Sequence, residues 1–324
     1  GYLAGYPESY CLWACITTIY HIVRISRTCY NEGSTVTRTL VGTGRGESVM
    51  DNRMDDRIEE IRKKIGVCDD IIIKQLVDRM ECIQEIIAYK KQNGIPILQP
   101  EQEKKQEDNL KQKLGDNVFE EEILNIFKYI VKNSRKIQAK ALFNYNIFLI
   151  GFMGAGKSTI AKELKRQLEM NYVEMDQLIV DKQGMSISEI FAEYGEVYFR
   201  NLECNTLIEL QKSKQTIVSC GGGVVVREDN KDHMKKHGRV VLLTATPETV
   251  YNRVKDSTER PILNDHMNVD FIAGLQEKRR ALYEAAADVT VATDGKNPEE
   301  ICREIVEKLT QLDRDTAEIG RAHV

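Results

Sequence analysis

No stretch of this chain is long and apolar enough to cross a bilayer. The nearest candidate, Tyr10 to Ile25, is broken by Thr17, Thr18 and His21 and has no basic leader. Charge excess is also missing. Lys and Arg number 46 against 50 Asp and Glu, a net charge of −4, so nucleic acid and anionic membrane gain no support as main partners. Any basic site must therefore be local. The eight cysteines are scattered without metal-ligand spacing and read as reduced thiols of a cytoplasmic protein. No internal repeat is present, and the Gln/Glu/Lys-rich stretch 99–113 reads as a solvated helix face. What remains is ordinary in bulk. A 42% hydrophobic fraction, 30% charged residues and 324 positions suit about two soluble globular domains.

Against that background the run GFMGAGKST, Gly151 to Thr159, fixes a chemistry. It follows a strand-like run ending at Ile150 and leads into helix-compatible sequence up to Met170, the strand–loop–helix context of a phosphate-binding P-loop. Gly154, Ala155 and Gly156 let backbone N–H groups close around an anionic phosphate. Lys157 is expected to reach the β- and γ-phosphates, Ser158 to sit on Mg²⁺, and Thr159 to continue the cradle. The positive end of the following helix favours the same anion. A nucleoside triphosphate with Mg²⁺ is implied.

Two patterns flank a change of character at Phe143. Before it, Ile58, Ile61, Ile65, Ile72, Leu76, Met80, Ile83 and Ile87 fall in steps of three, four and seven along one face of a helix predicted over 55–91. Gln92-Asn93-Gly94 and Pro96 stop it. Such a helix is about 55 Å long, whereas a compact domain of some ninety residues is only about 30 Å across. Its stripe cannot be buried by its own short neighbours, so a homodimer with intertwined long helices is implied. Shorter helices are predicted over 101–114 and 118–141. After Phe143, strands are expected at 145–150, 172–175, 215–219, 239–244 and 288–292, alternating with helices at 157–170, 186–212, 228–237, 247–255, 269–286 and 298–312. Ser186 to Glu189 makes a capping box and Thr246-Pro247 an N-cap with proline at N1. This alternation predicts an α/β domain with a five-stranded parallel sheet. Residues 1–49, which hold the only tryptophan, Trp13, show no clear period and are expected to be a disordered extension outside the domains. The closing EIGRAHV resembles a translated sequencing adapter, and 314–324 is expected to be a tail.

Downstream of the P-loop, GMSISEIFAEYGEVYFR (184–200), SCGGGVV (219–225), ERPIL (259–263) and KRRALY (278–283) occur in the order and spacing of shikimate kinases. Residues 144–312 resemble that family. The resemblance implies phosphorylation of shikimate with ATP as phosphoryl donor and Mg²⁺ as cofactor, with Arg200 and Arg279 binding the substrate carboxylate and Asp176 holding ring hydroxyls and accepting the proton of the attacking one. It also implies that Gly221, Gly222 and Gly223 bring backbone amides to substrate, and that Arg260 closes over the transferring phosphoryl group from a lid at 256–268. Arg253 and Asn297-Pro298 match positions beside the adenine. Glu174 stands where the family usually has Asp, so a longer carboxylate would hold the Mg²⁺ waters.

Residues 54–141 resemble the all-helical chorismate mutases. Arg62 in IEEIRKKI, Arg79 in LVDRM, Lys90 in AYKKQNGIP, Glu103, and Ser134 and Gln138 in NSRKIQ fall where that family's active-site residues fall. The resemblance implies rearrangement of chorismate to prephenate without cofactor. Arg79 and a partner chain's Arg62 would bind carboxylates, Lys90 and Gln138 the ether oxygen, Glu103 the ring hydroxyl and Ser134 the substrate. Arg62 and Arg79, seventeen positions apart on one helix, stand about 25 Å apart and cannot meet within a chain. Gln99 and Gln102 replace the family's common Asp and Arg. The combined expectation is a multidomain, bifunctional enzyme with domains at 50–142 and 143–313. A monofunctional kinase with a dimerising helical module, an isochorismate lyase on the same helical fold, and a nucleotide-binding regulator are the other readings.

Overall fold

The computed structural model describes residues 47–93, 100–255 and 268–322. They divide into two compact units, with the division inside a helix at 125–126.

The first unit holds α1 (Glu47–Asn93), α2 (Pro100–Leu114) and the start of α3 (Glu120–Leu142). α1 is longer than its stripe predicts, so residues 47–49 are helical rather than part of a disordered extension; residues 1–46 lie outside the described residues. In α2, acidic residues open the helix and basic ones close it, Glu101 and Glu103 against Lys111 and Lys113, which suits the helix dipole. Gly115, at φ 52°, then donates to Lys111 O at 3.1 Å and ends the helix in the left-handed conformation that favours glycine. Ile83, Ile87, Leu110 and Leu114 are buried. Upstream, the same stripe is open: Ile58, Ile61, Ile65 and Ile72 are 44, 44, 54 and 41% exposed.

The second unit is a parallel sheet with helices on both faces. Its strands are β1 (Asn146–Ile150), β2 (Asn171–Glu174), β3 (Thr216–Ser219), β4 (Gly238–Thr244) and β5 (Val289–Ala292), in the order β2-β3-β1-β4-β5. Each lies within one residue of its expected position. β1 is central and wholly buried, which is why Ile147–Ile150 read as an unbroken apolar run rather than an alternation. Its period of two still sorts the faces. Ile147 and Leu149 pack with α4 (Lys157–Leu168) and α10 (Pro298–Ala322); Phe148 and Ile150 pack with α5 (Met175–Gln183), α6 (Ile187–Leu210), α7 (Glu228–His237) and α9 (Val269–Ala286). A shorter helix, α8 (Pro247–Val254), lies against Phe152 through Val250 and Val254.

The capping box at Ser186 is formed, with Glu189 N donating to Ser186 Oγ at 3.3 Å and Ser186 N to Glu189 Oε2 at 2.7 Å. Thr246 caps α8 as expected. Three differences have local causes. α5 was not anticipated, because it begins at Met175 directly after β2 with no turn residue between them. α10 does not stop at 312 but runs to Ala322 through part of the expected tail, held where Asp313 accepts from Tyr145 Oη at 2.6 Å and Arg239 Nη2 at 3.0 Å. The second half of α3 groups with the sheet rather than with the helical region, because Ala139 and Leu142 pack into the core around Phe143.

Candidate active site

The P-loop joins the C-terminal end of β1 to α4. Gly154 and Gly156 have φ of 75° and 95°, a region side chains rarely adopt. A Cβ on Gly154 would stand 2.8 Å from Val254 Cγ1, so the loop is pressed against α8. No side chain caps α4, whose N-cap is Gly156, and its first N–H groups are therefore directed at whatever anion the loop takes. Ala155 is fully buried and its N–H is used inside the loop, donating to Phe152 O at 3.2 Å. Lys157 Nζ donates to Gly151 O at 2.9 Å and Phe152 O at 3.0 Å. Arg253 clamps the loop, donating from Nη1 to Gly154 O at 3.1 Å and to Thr293 Oγ1 at 3.0 Å. Thr159, the third residue of α4, is exposed.

Oxygen atoms line up beside Lys157. Ser158 Oγ is 3.5 Å from Ser219 Oγ, which donates to Glu174 Oε1 at 2.9 Å, while Tyr172 Oη donates to Glu174 Oε2 at 2.7 Å. Among the described residues no group of three His, Cys, Asp or Glu could hold a metal alone. One carboxylate and hydroxyls next to a phosphate loop nevertheless fit Mg²⁺, which keeps several waters and takes ligands from phosphates.

The Gly221–Gly223 turn after β3 adjoins the loop: a Cβ on Gly222 would stand 3.6 Å from Met153 N and 3.8 Å from Gly151 O. Its neighbours explain the glycines. A Cβ at Gly221 would meet Asp176 Oδ1 at 2.5 Å and Glu203 Oε1 at 2.9 Å, and one at Gly223 would overlap the Arg200 guanidinium. Arg200 donates to Glu203 Oε2 at 2.6 Å and Glu196 Oε1 at 2.8 Å. From α9, Tyr283 Oη donates to Gly222 O at 2.5 Å and Arg279 Nη1 to the same oxygen at 3.4 Å. Burial pushes the Tyr283 phenol up to about 12. Glu203 is fully buried, and its Oε1 has no hydrogen-bond partner among the described residues. Burial pushes its carboxyl up to about 7; Arg200 opposes the shift and Asp176 adds to it.

Thus Asp176, Arg200, Gly221, Gly222, Gly223 and Arg279 surround one turn, and Lys157, Ser158 and Glu174 lie beside it. Arg260 and the lid lie outside the described residues. Asn297 caps α10, accepting from Glu300 N at 2.9 Å. Glu203, Ser219 and Tyr283 were missed as site residues. The Arg200-x-x-Glu203 spacing, which puts two charges on one helix face, was the available signal for the first.

In the first unit, Arg62, Arg79 and Lys90 lie on α1 and Glu103 on α2. Arg62 is an exposed side chain 3.7 Å from Glu59. Ser134 and Gln138 lie on the second half of α3, in the other unit. Ser134 is buried and donates to Ile130 O at 2.8 Å. Gln99 lies outside the described residues.

Fold and site define a P-loop protein of the doubly wound α/β class, preceded by a helical region. The family model for shikimate kinase matches residues 153–310, and that for chorismate mutase type II matches residues 61–139. A shikimate kinase of Dehalococcoides mccartyi is 43% identical over 168 residues, covering 52% of this chain and 95% of that protein. One from Geobacter metallireducens is 40% identical over 160 residues, covering 49% and 89%. The chain belongs to the shikimate kinase family, and it carries a chorismate mutase type II region N-terminal to its kinase domain. Among solved structures, shikimate kinase from Acinetobacter baumannii in complex with shikimate is 31% identical, covers 55% of this chain and 98% of its own, and has a TM-score of 0.49.

Proposed function

We propose that the α/β domain transfers the γ-phosphoryl group of ATP to a ring hydroxyl of shikimate, and that the helical region rearranges chorismate to prephenate. The observation that carries the kinase reading is the approach of the Gly221–Gly223 turn, flanked by Asp176 and Arg200, to the P-loop at Met153 and Gly151. It sets an acceptor pocket next to a phosphate cradle. The attacking hydroxyl forms the new P–O bond, the bond to ADP breaks, and the hydroxyl proton passes to Asp176. Lys157 stabilises charge on the transferring group. Arg200 and Arg279 grip the substrate carboxylate. Mg²⁺, held through Ser158 and water on Glu174, would neutralise phosphate charge. Glu203, which touches Arg200 rather than substrate, acts as a positioning residue.

The mutase reaction needs only a held conformer and donors to the oxygen that gains charge. Lys90 and Gln138 are assigned that donation, Arg79 and the partner chain's Arg62 the carboxylates, Glu103 the ring hydroxyl, and Ser134 a substrate contact. The exposed Ile58–Ile72 face of α1 supports a homodimer in which a second copy covers it. Neither nucleic acid nor membrane is needed by this reading, and both reactions belong in the cytoplasm. Purified protein is expected to release ADP only when given shikimate with ATP, and to consume chorismate without ATP. ADP release with no loss of chorismate would leave a kinase carrying a dimerising module.

A further inference from the structure

A cavity of about 320 Å³ lies at the N-terminal end of the sheet, where Tyr145 enters β1 and Arg239 opens β4. The P-loop follows the opposite end of β1, so this cavity is at the other end of the strands from the site described above. Its charge is one-sided. Lys214, Lys235, Lys236 and Arg239 line it together with His237, and none of the ten lining residues is Asp or Glu. That is a strong local bias in a chain where acidic residues outnumber basic ones, 50 to 46. The cations come from separate elements: Lys214 from the turn before β3, Lys235 and Lys236 from the last turn of α7, and Arg239 from β4. A basic last turn complements its own helix dipole, which accounts for the α7 pair. It does not account for Lys214 or Arg239.

Two of the four cations are already compensated from outside the cavity. Lys235 has Asp288 at 3.6 Å and Arg239 has Asp313 at 3.0 Å. Arg239 also stacks over the Tyr145 ring, its carbon 5.5 Å from the centroid, which fixes the guanidinium at the wall. Among the described residues Lys214 and Lys236 have no ion pair. Two exposed lysines with no ion pair beside a space of that volume leave room for one small molecule carrying two negative charges. We propose that this cavity binds a small dianion, bearing either two carboxylates or one phosphate, held chiefly by Lys214 and Lys236. The molecule would rest against the short joint through which α3 passes into β1.

The test is calorimetric titration of the full chain at fixed ionic strength, once with malonate and once with inorganic phosphate. Each titration is repeated on the Lys214→Gln/Lys236→Gln variant. Both lysines are exposed, so the variant is expected to fold, and retained shikimate-dependent ADP release checks that it has. Anion binding at the P-loop or at the arginines is common to both proteins and cancels in the difference. The expected result is a saturable event in the wild-type chain that weakens by about tenfold or more in the variant. The tighter of the two anions then tells carboxylate from phosphate recognition. Identical titrations of both proteins, or no saturable event in the wild type, would overturn the proposal.

Discussion

The α/β unit and the helical region solve the problem of gathering charged side chains in opposite ways. In the α/β unit the parallel strands all end at one edge, and residues from α5, α6 and α9 gather there, within one chain, around the Gly221–Gly223 turn that adjoins the P-loop. Sequence distance is cancelled by topology: Asp176, Glu203 and Gly221 are spread over 45 positions yet lie within contact of one another. In the helical region, by contrast, Arg62, Arg79 and Lys90 are strung along a single 47-residue helix. A straight helix preserves sequence distance at about 1.5 Å per residue, so residues far apart on it can share a site only if a second copy runs alongside. The open isoleucine face of α1 is the structural counterpart of that requirement. The described residues of one site come together within a chain; the other site is proposed to need two chains.

The largest test of this contrast removes the P-loop lysine. Lys157→Ala is expected to lower shikimate-dependent ADP release by about a thousandfold or more, because catalysis of phosphoryl transfer is almost wholly positioning and charge stabilisation. Chorismate consumption, followed by its ultraviolet absorbance, should be unchanged. The converse replacement, Lys90→Ala, is expected to cost the mutase about a hundredfold or more and to leave ADP release intact. A parallel fall in both activities with either variant would show that the two sites do not work separately.

Oligomeric state sharpens the comparison further. Ile65→Glu/Ile72→Glu sets two carboxylates on the exposed stripe of α1, where burial against a second copy would be costly. Sedimentation should shift from dimer to monomer. Mutase activity at micromolar protein should fall by about tenfold, while kinase activity per chain stays constant. A monomeric wild-type chain with full mutase activity would refute the two-chain site.

Much of this was legible beforehand, for physical reasons that can be named. The P-loop is readable because its residues act through backbone geometry that only a fixed glycine spacing permits. The central strands are readable because a sheet covered on both faces demands short apolar runs such as Ile147–Ile150. α5 was hidden because no turn residue separates Glu174 from Met175, so the strand runs straight into the helix. The reach of α10 was hidden because its last turns are polar. They are held by Asp313 bridging Tyr145 and Arg239, 168 and 74 positions away, and no local pattern can report such contacts. Glu203 was hidden more deeply. On a helix rich in Glu it reads as one more solvated charge, and only the fold shows it sealed beneath the glycine turn.

That burial makes the smallest expected effect also the most specific. The Glu203 carboxyl titrates at about 7 instead of its ordinary 4.5, so across neutral pH it changes from a neutral acid to the anion that best accepts from Arg200. If the anion is what orients Arg200 toward the substrate carboxylate, kcat/KM for shikimate should rise as pH increases through about 7. Glu203→Gln keeps a carbonyl acceptor but cannot ionise, and should flatten that inflection at a cost of only about fivefold in kcat/KM. Stability should move the other way. A folded-state pKa above the unfolded value means that the fold binds this proton more tightly than the unfolded chain does. The wild type therefore loses stability relative to Glu203→Gln as pH rises from about 4.5 to about 7, and no further above that. Thermal midpoints of the two proteins across that window, read beside the pH profile, separate a positioning role from a purely structural one. A structural carboxyl would move the midpoints and leave the shikimate inflection in place.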